Sequence, residues 1–126
     1  MTELKQIYRC NVCGNMVEMV RAGKGELVCC NQPMQLITPR TKDEGYEKHV
    51  PVVEIGEGKI TVRVGATPHP MKEQHYIEWI EILTPDNKVL RQHLKPENEP
   101  LAVFDYSGPA EVKARAFCNL HSLWEG

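Results

Sequence analysis

VVEIGEGKITVRV, residues 52–64, is the stretch on which the fold turns. In its second half Ile60, Val62 and Val64 alternate with Lys59, Thr61 and Arg63, the period of a strand with one buried face. Gly56-Glu57-Gly58 supplies a tight turn back to residues 52–55, so the segment predicts a β-hairpin.

Working outward toward the C-terminus, residues 75–83 are rich in β-favouring side chains (Tyr76, Ile77, Trp79, Ile80, Ile82) and stop at the turn Pro85-Asp86-Asn87. Their pattern assigns no inward face. Further strand-like runs follow at residues 89–94, 102–105 and 111–118, the last with Val112, Ala114 and Ala116 alternating with Glu111, Lys113 and Arg115. Six or seven short strands, turns between them and no long amphipathic helix predict a mainly β fold, an immunoglobulin-like β-sandwich over residues 49–126.

Working the other way, residues 39–48, PRTKDEGYEK, are polar, lack apolar periodicity and read as a linker. Residues 1–38 form a different kind of unit. They hold four of the five cysteines around short apolar segments at 16–20 and 26–28, with a turn at Gly23-Lys24-Gly25 between them. A piece below about 40 residues buries too little apolar surface to fold alone, so it predicts a small metal-held domain.

A formal charge of −2 with scattered Lys and Arg gives no basic stripe, which argues against nucleic acid as a partner. The first residues lack the apolar core of a signal peptide, and no apolar run approaches the roughly 20 residues of a membrane helix. The expectation is a cytoplasmic protein without a membrane partner. In a reducing cytosol, clustered cysteines read as metal ligands rather than disulfides.

Cys10, Cys13, Cys29 and Cys30 form a C-x-x-C pair followed by an adjacent pair. Two short loops can aim four thiolates at one tetrahedral ion, and the spacing is compatible with zinc or iron. Unligated thiols or a redox-active C-x-x-C are the other readings. The second group is dispersed: His49, His69, His75, Cys118 and His121. Each alone reads as a surface or core residue, as His93 does in its own strand. Taken as one set, a grouping that only family resemblance supplies, four imidazoles and a thiolate would suit iron and leave a sixth octahedral position for a small substrate.

Two stretches, Cys10-Asn11-Val12-Cys13-Gly14-Asn15 and Glu26-Leu27-Val28-Cys29-Cys30-Asn31, resemble desulforedoxin, whose four thiolates hold one iron. The resemblance implies an electron-transfer iron and a homodimer built through this domain. Lys48-His49-Val50-Pro51, His69-Pro70-Met71 with His75, and Phe117-Cys118-Asn119-Leu120-His121 resemble the catalytic domain of superoxide reductases. Taken over nearly the whole chain, the sequence resembles the two-iron desulfoferrodoxin family.

That family resemblance implies that His49, His69, His75 and His121 are equatorial ligands and Cys118 the axial ligand of a second iron. The implied reaction gives superoxide one electron and two protons, releases hydrogen peroxide and forms no dioxygen, with a donor such as rubredoxin restoring ferrous iron. Glu47 matches the family residue that occupies the open position of the oxidised iron. Lys48 is the candidate positive group for steering an anion toward a net negative protein. For both, the plain reading is a solvated linker charge.

Three rivals remain at this stage. A zinc-ribbon-like module would make the later histidines incidental. An iron oxygenase using His69, His75 and Glu78 leaves Cys118 and His121 unexplained. A superoxide dismutase would evolve dioxygen. Ala116, two before Cys118 on the same strand face, offers only its backbone, so hydrogen bonds to the Cys118 sulfur are expected from N–H groups around Asn119 and Leu120.

Overall fold

A computed structural model describes residues 2–41 and 49–126; residues 42–48, with Glu47, Lys48 and most of the expected linker, lie outside the described residues. The chain divides into two compact units, Met1–Thr38 and Pro39–Gly126. Every regular element among the described residues is a strand, and no helix is long and apolar enough to cross a membrane.

In the first unit β1 (Ile7–Arg9) lies between β2 (Met16–Glu18) and β5 (Gln35–Ile37), both antiparallel to it. A separate hairpin pairs β3 (Val28–Cys29) with β4 (Gln32–Pro33). Its two turn residues, Cys30 and Asn31, have φ of 52° and 61°. Two left-handed residues in a two-residue loop match the twist of the flanking strands, although a cysteine there is disfavoured by its Cβ. Ile7, Ile37 and Cys10 are the buried hydrophobics, while Val12, Val20 and Val28 are exposed. So small a buried set is what a metal-held unit requires.

Among the described residues the second unit is a sandwich of seven strands. One sheet runs β10 (Leu101–Asp105), β7 (Lys59–Val64), β6 (Pro51–Gly56); the other runs β12 (Ser122–Glu125), β11 (Lys113–Cys118), β8 (Ile77–Leu83), β9 (Val89–His93). Gly56 pairs with Lys59, so Glu57 and Gly58 alone make the turn, and Gly58 takes φ of 68°. The core between the sheets includes Ile60, Val62 and Val64 of β7, Phe104 of β10, Ile80 and Ile82 of β8, and Ala114, Ala116 and Cys118 of β11.

The unassigned face of β8 has a physical cause. Ile80 and Ile82 enter the core, yet Trp79 and Glu81, on the opposite face, are buried as well. A strand covered on both sides shows no alternation to read. Glu81 is fully buried and ion-paired to Arg91 on β9 and Arg115 on β11. Strand β12 was not anticipated, and β8 starts at Ile77 rather than at 75. The ladder between β8 and β11 shifts register between Phe117 and Cys118, opposite residues 77–79, where the strand approaches the loops that carry the ligand candidates.

Candidate metal centres

The first centre lies wholly within the first unit. Cys10 and Cys13 follow β1, Cys29 ends β3, and Cys30 occupies the left-handed turn that follows. The strand-to-turn transition therefore turns two neighbouring residues toward one point. Cys13 Sγ is 3.6 Å from Cys29 Sγ, and Cys29 Sγ is 4.0 Å from Cys30 Sγ, with all four sulfurs within 4.8 Å of one another. Four thiolates at about 2.3 Å from one tetrahedral ion sit about 3.8 Å apart, so the spacing fits a metal and no disulfide is formed.

Backbone amides prepare the C-x-x-C half of this site. The N–H groups of Val12 and Cys13 each donate to Cys10 Sγ at 3.4 Å, and Asn15 N–H donates to Cys13 Sγ at 3.4 Å. The amides of Cys13 and Val12 hold the Cys10 thiol down at about 6. Hydrogen bonds to Cys13, then Cys10 and Cys29, push Cys30 up to about 12. A lowered Cys10 thiol beside raised Cys29 and Cys30 makes a site completed by a cation, since a metal displaces the protons of its thiol ligands.

The second centre is assembled from distant parts of the sandwich. His49 precedes β6, His69 and His75 lie between β7 and β8, Cys118 ends β11, and His121 sits in the turn before β12. The imidazoles form a closed square: ring centroids are 4.8 Å apart for His49 and His69, 4.7 Å for His69 and His75, 5.0 Å for His75 and His121, and 4.9 Å for His121 and His49. Each neighbouring pair is edge-on, with interplanar angles of 70° to 82°. His49 Nε2 is 3.1 Å from His121 Nδ1, close to the roughly 3 Å expected for adjacent nitrogens on one ion. His49, His75, His121 and Cys118 offer ligand atoms within 4.8 Å of one another, and His69 joins them through its ring contacts.

His69 supplies the test of fit. Its Nδ1–H donates to the Pro70 carbonyl at 2.7 Å, which leaves Nε2 as the bare lone pair. That Nε2 is buried with no hydrogen-bond partner in the protein. Burial holds His69 down at about 4, so it is neutral and ready to ligate near neutral pH. An orphaned, neutral, buried nitrogen facing three imidazoles and a thiol is a ligand atom.

Cys118 is fully buried and His121 exposed, so the sulfur forms the inner end of the site and imidazole edges the outer end. Burial pushes the Cys118 thiol up, opposed by N–H groups of Leu120 and His121. Leu120 is thus one of the two expected donors, and His121 stands in place of Asn119. The Asn119 N–H is directed instead to the Tyr76 carbonyl at 3.2 Å. Ala116 is fully buried in the same core cluster as Cys118.

Two residues escaped the sequence reading. Asn119 brackets His75: its Oδ1 accepts the Tyr76 N–H at 3.0 Å and its Nδ2 donates to the Gln74 carbonyl at 3.1 Å. Trp124 stacks on His49 with centroids 4.6 Å apart and rings 17° from parallel. An Asn beside a candidate ligand was the available signal for the first; Trp124 had none. His93 is exposed, and Glu78 is absent from the groups of possible ligands among the described residues. The structure therefore does not assemble the two-histidine, one-carboxylate face.

Comparisons with known proteins agree on both units. The family profile described as desulfoferrodoxin matches residues 41–126, and that described as desulfoferrodoxin, N-terminal domain, matches residues 2–37. The chain is similar to a desulfoferrodoxin homolog of Archaeoglobus fulgidus, 56% identical over 125 residues that cover 99% of this chain and 98% of the other. It is 37% identical over 105 residues to a superoxide reductase of Pyrococcus horikoshii, covering 70% of this chain and 91% of that one. Among solved structures, the superoxide reductase from Treponema pallidum superposes with a TM-score of 0.74 at 26% identity, covering 96% of this chain and 95% of that one.

Proposed function

The chain belongs to the desulfoferrodoxin family, and on that premise we propose that the five-residue centre of the sandwich is where its chemistry occurs. The protein is a superoxide reductase: superoxide takes up one electron and two protons and leaves as hydrogen peroxide. The observation that carries this assignment is the square of four imidazoles around a buried thiol, with an orphaned nitrogen already selected as a ligand atom.

His49, His69, His75 and His121 would hold one iron with Cys118, and Cys10, Cys13, Cys29 and Cys30 a second. Iron held there would supply one-electron chemistry, and the Cys118 thiolate would raise its donor strength. The protein's own part is to bury the sulfur, keep His69 neutral and leave the rim open to a small anion. The family match supports Lys48, next to His49 in sequence, as the group that would attract superoxide, and Glu47 as the residue that would occupy the open position of the oxidised site. We extend the same reading to a rubredoxin-like donor, to electron transport through the four-cysteine iron, to a homodimer, and to superoxide detoxification under oxidative stress in the cytoplasm.

The decisive measurement is product stoichiometry with a reductant present. One peroxide for every superoxide consumed, without dioxygen, is expected. Release of dioxygen would make the protein a dismutase. Elemental analysis should return two irons per chain; zinc in both sites would leave only a structural module.

A further inference from the structure

Trp124 touches the second centre in two ways. Its indole lies parallel to the His49 imidazole, and its Nε1–H donates to the His121 carbonyl at 2.9 Å. His49 and His121 are adjacent corners of the imidazole square. Trp124 is itself 4% exposed and paired to Ala116 across the β11–β12 ladder. The backbone of Arg40 runs parallel beside it, its N–H donating to the Leu123 carbonyl and its carbonyl accepting from Glu125 N–H, both at 2.9 Å. That places the Arg40 guanidinium carbon 4.7 Å from the indole centroid, a cation against the ring.

The other corners have different supports. His69 is oriented by its own bond to Pro70, and His75 by the Asn119 amide on both sides. His49 lies in a bend before β6 and belongs to no strand. We infer that Trp124 is a positioning residue of the second centre: stacking of its ring sets the plane of His49, and its N–H anchors the turn that carries His121. The inference rests on His49 and His121 being ligands of the second iron. It makes β12, the strand with no sequence signal, part of the ligand support.

The test uses the full-length, iron-loaded protein, with the four-cysteine absorption as an internal control. Trp124→Leu removes both ring and donor, and should shift the thiolate-to-ferric band of the second site and speed its iron loss to a chelator by about 10-fold or more. Trp124→Phe keeps a ring against His49, and should restore the band and bring iron loss to within about 3-fold of the parent. A leucine variant that melts earlier yet keeps the parent band and chelation rate would make Trp124 merely a packing residue. If the leucine variant does not accumulate, the phenylalanine variant decides alone, because a band shifted despite the retained ring overturns the stacking role. His49→Ala separates the two levels. If it moves the band and Trp124→Leu does not, only this inference fails; if neither moves it, the ligand assignment itself is wrong.

Discussion

The two centres differ in how far the chain must travel to build them. The four-cysteine site closes between Cys10 and Cys30 through two tight turns, with backbone amides aimed at its sulfurs. The five-residue site joins His49 to His121, 72 positions apart, and both sheets must form before its ligands meet. A locally built site is a property of its turns, whereas a dispersed one is a property of the whole fold. Both contain a buried thiol, Cys10 in the first and Cys118 in the second, but the second adds an orphaned imidazole nitrogen and supports reaching across strands.

Perturbations chosen for one centre should leave the other untouched. The largest effect is expected from Cys118→Ser, which removes the only sulfur of the dispersed site. Superoxide reduction should fall by more than the ~100-fold upper range for support residues, while the four-cysteine spectrum stays intact. Loss of both spectra would show that the sites depend on each other.

Asn119→Ala comes next. Without the amide that brackets His75, iron affinity of the dispersed site should drop by about 10 to 100-fold, read by chelator competition, again with the four-cysteine iron retained. Equal iron loss from both sites would break the contrast.

Acid probes the sandwich through His69. Its folded value of about 4 lies below its ordinary 6.5, so the unfolded chain binds the proton more readily. Stability of the iron-free sandwich should be complete above pH 6.5 and decline as pH falls toward about 4. Both tryptophans, Trp79 and Trp124, lie in this unit, so fluorescence-detected urea melts report on it alone. A flat profile over that window would remove His69 from the account.

The smallest effect is expected from Lys48→Ile. A steering charge acts on encounter, so the second-order rate with superoxide should fall by about 3-fold to 10-fold at low salt and converge with the parent at high salt. Stopped-flow decay of superoxide is the measurement.

Legibility in the sequence follows the same division. The C-x-x-C and C-C spacing pointed directly to the first centre, because turn geometry is local. Strand β7 was read at its true bounds, since Ile60, Val62 and Val64 face a core and their neighbours do not. Strand β8 gave no face because Glu81 and Trp79 are as buried as Ile80. The histidines were grouped only through resemblance, for no spacing rule links residues that meet across loops from different strands. Of the amides expected to serve Cys118, Leu120 does so and Asn119 does not, because its N–H has another acceptor, the Tyr76 carbonyl, which only the assembled sheet brings near.

The buried Glu81 has a consequence for alignment. It stands directly opposite Arg115 on β11 and Arg91 on β9, so its ion pairs exist in a single arrangement of three strands. Sliding β11 by one residue would set Glu81 against Ala114 or Ala116 and leave the buried carboxylate with Arg91 alone, a loss of one of its two ion pairs. Cys118 lies three residues beyond Arg115 on that strand, and His121 just after it. The carboxylate works as an index mark: its ion pairs favour the alignment that carries Cys118 and His121 to the imidazole square.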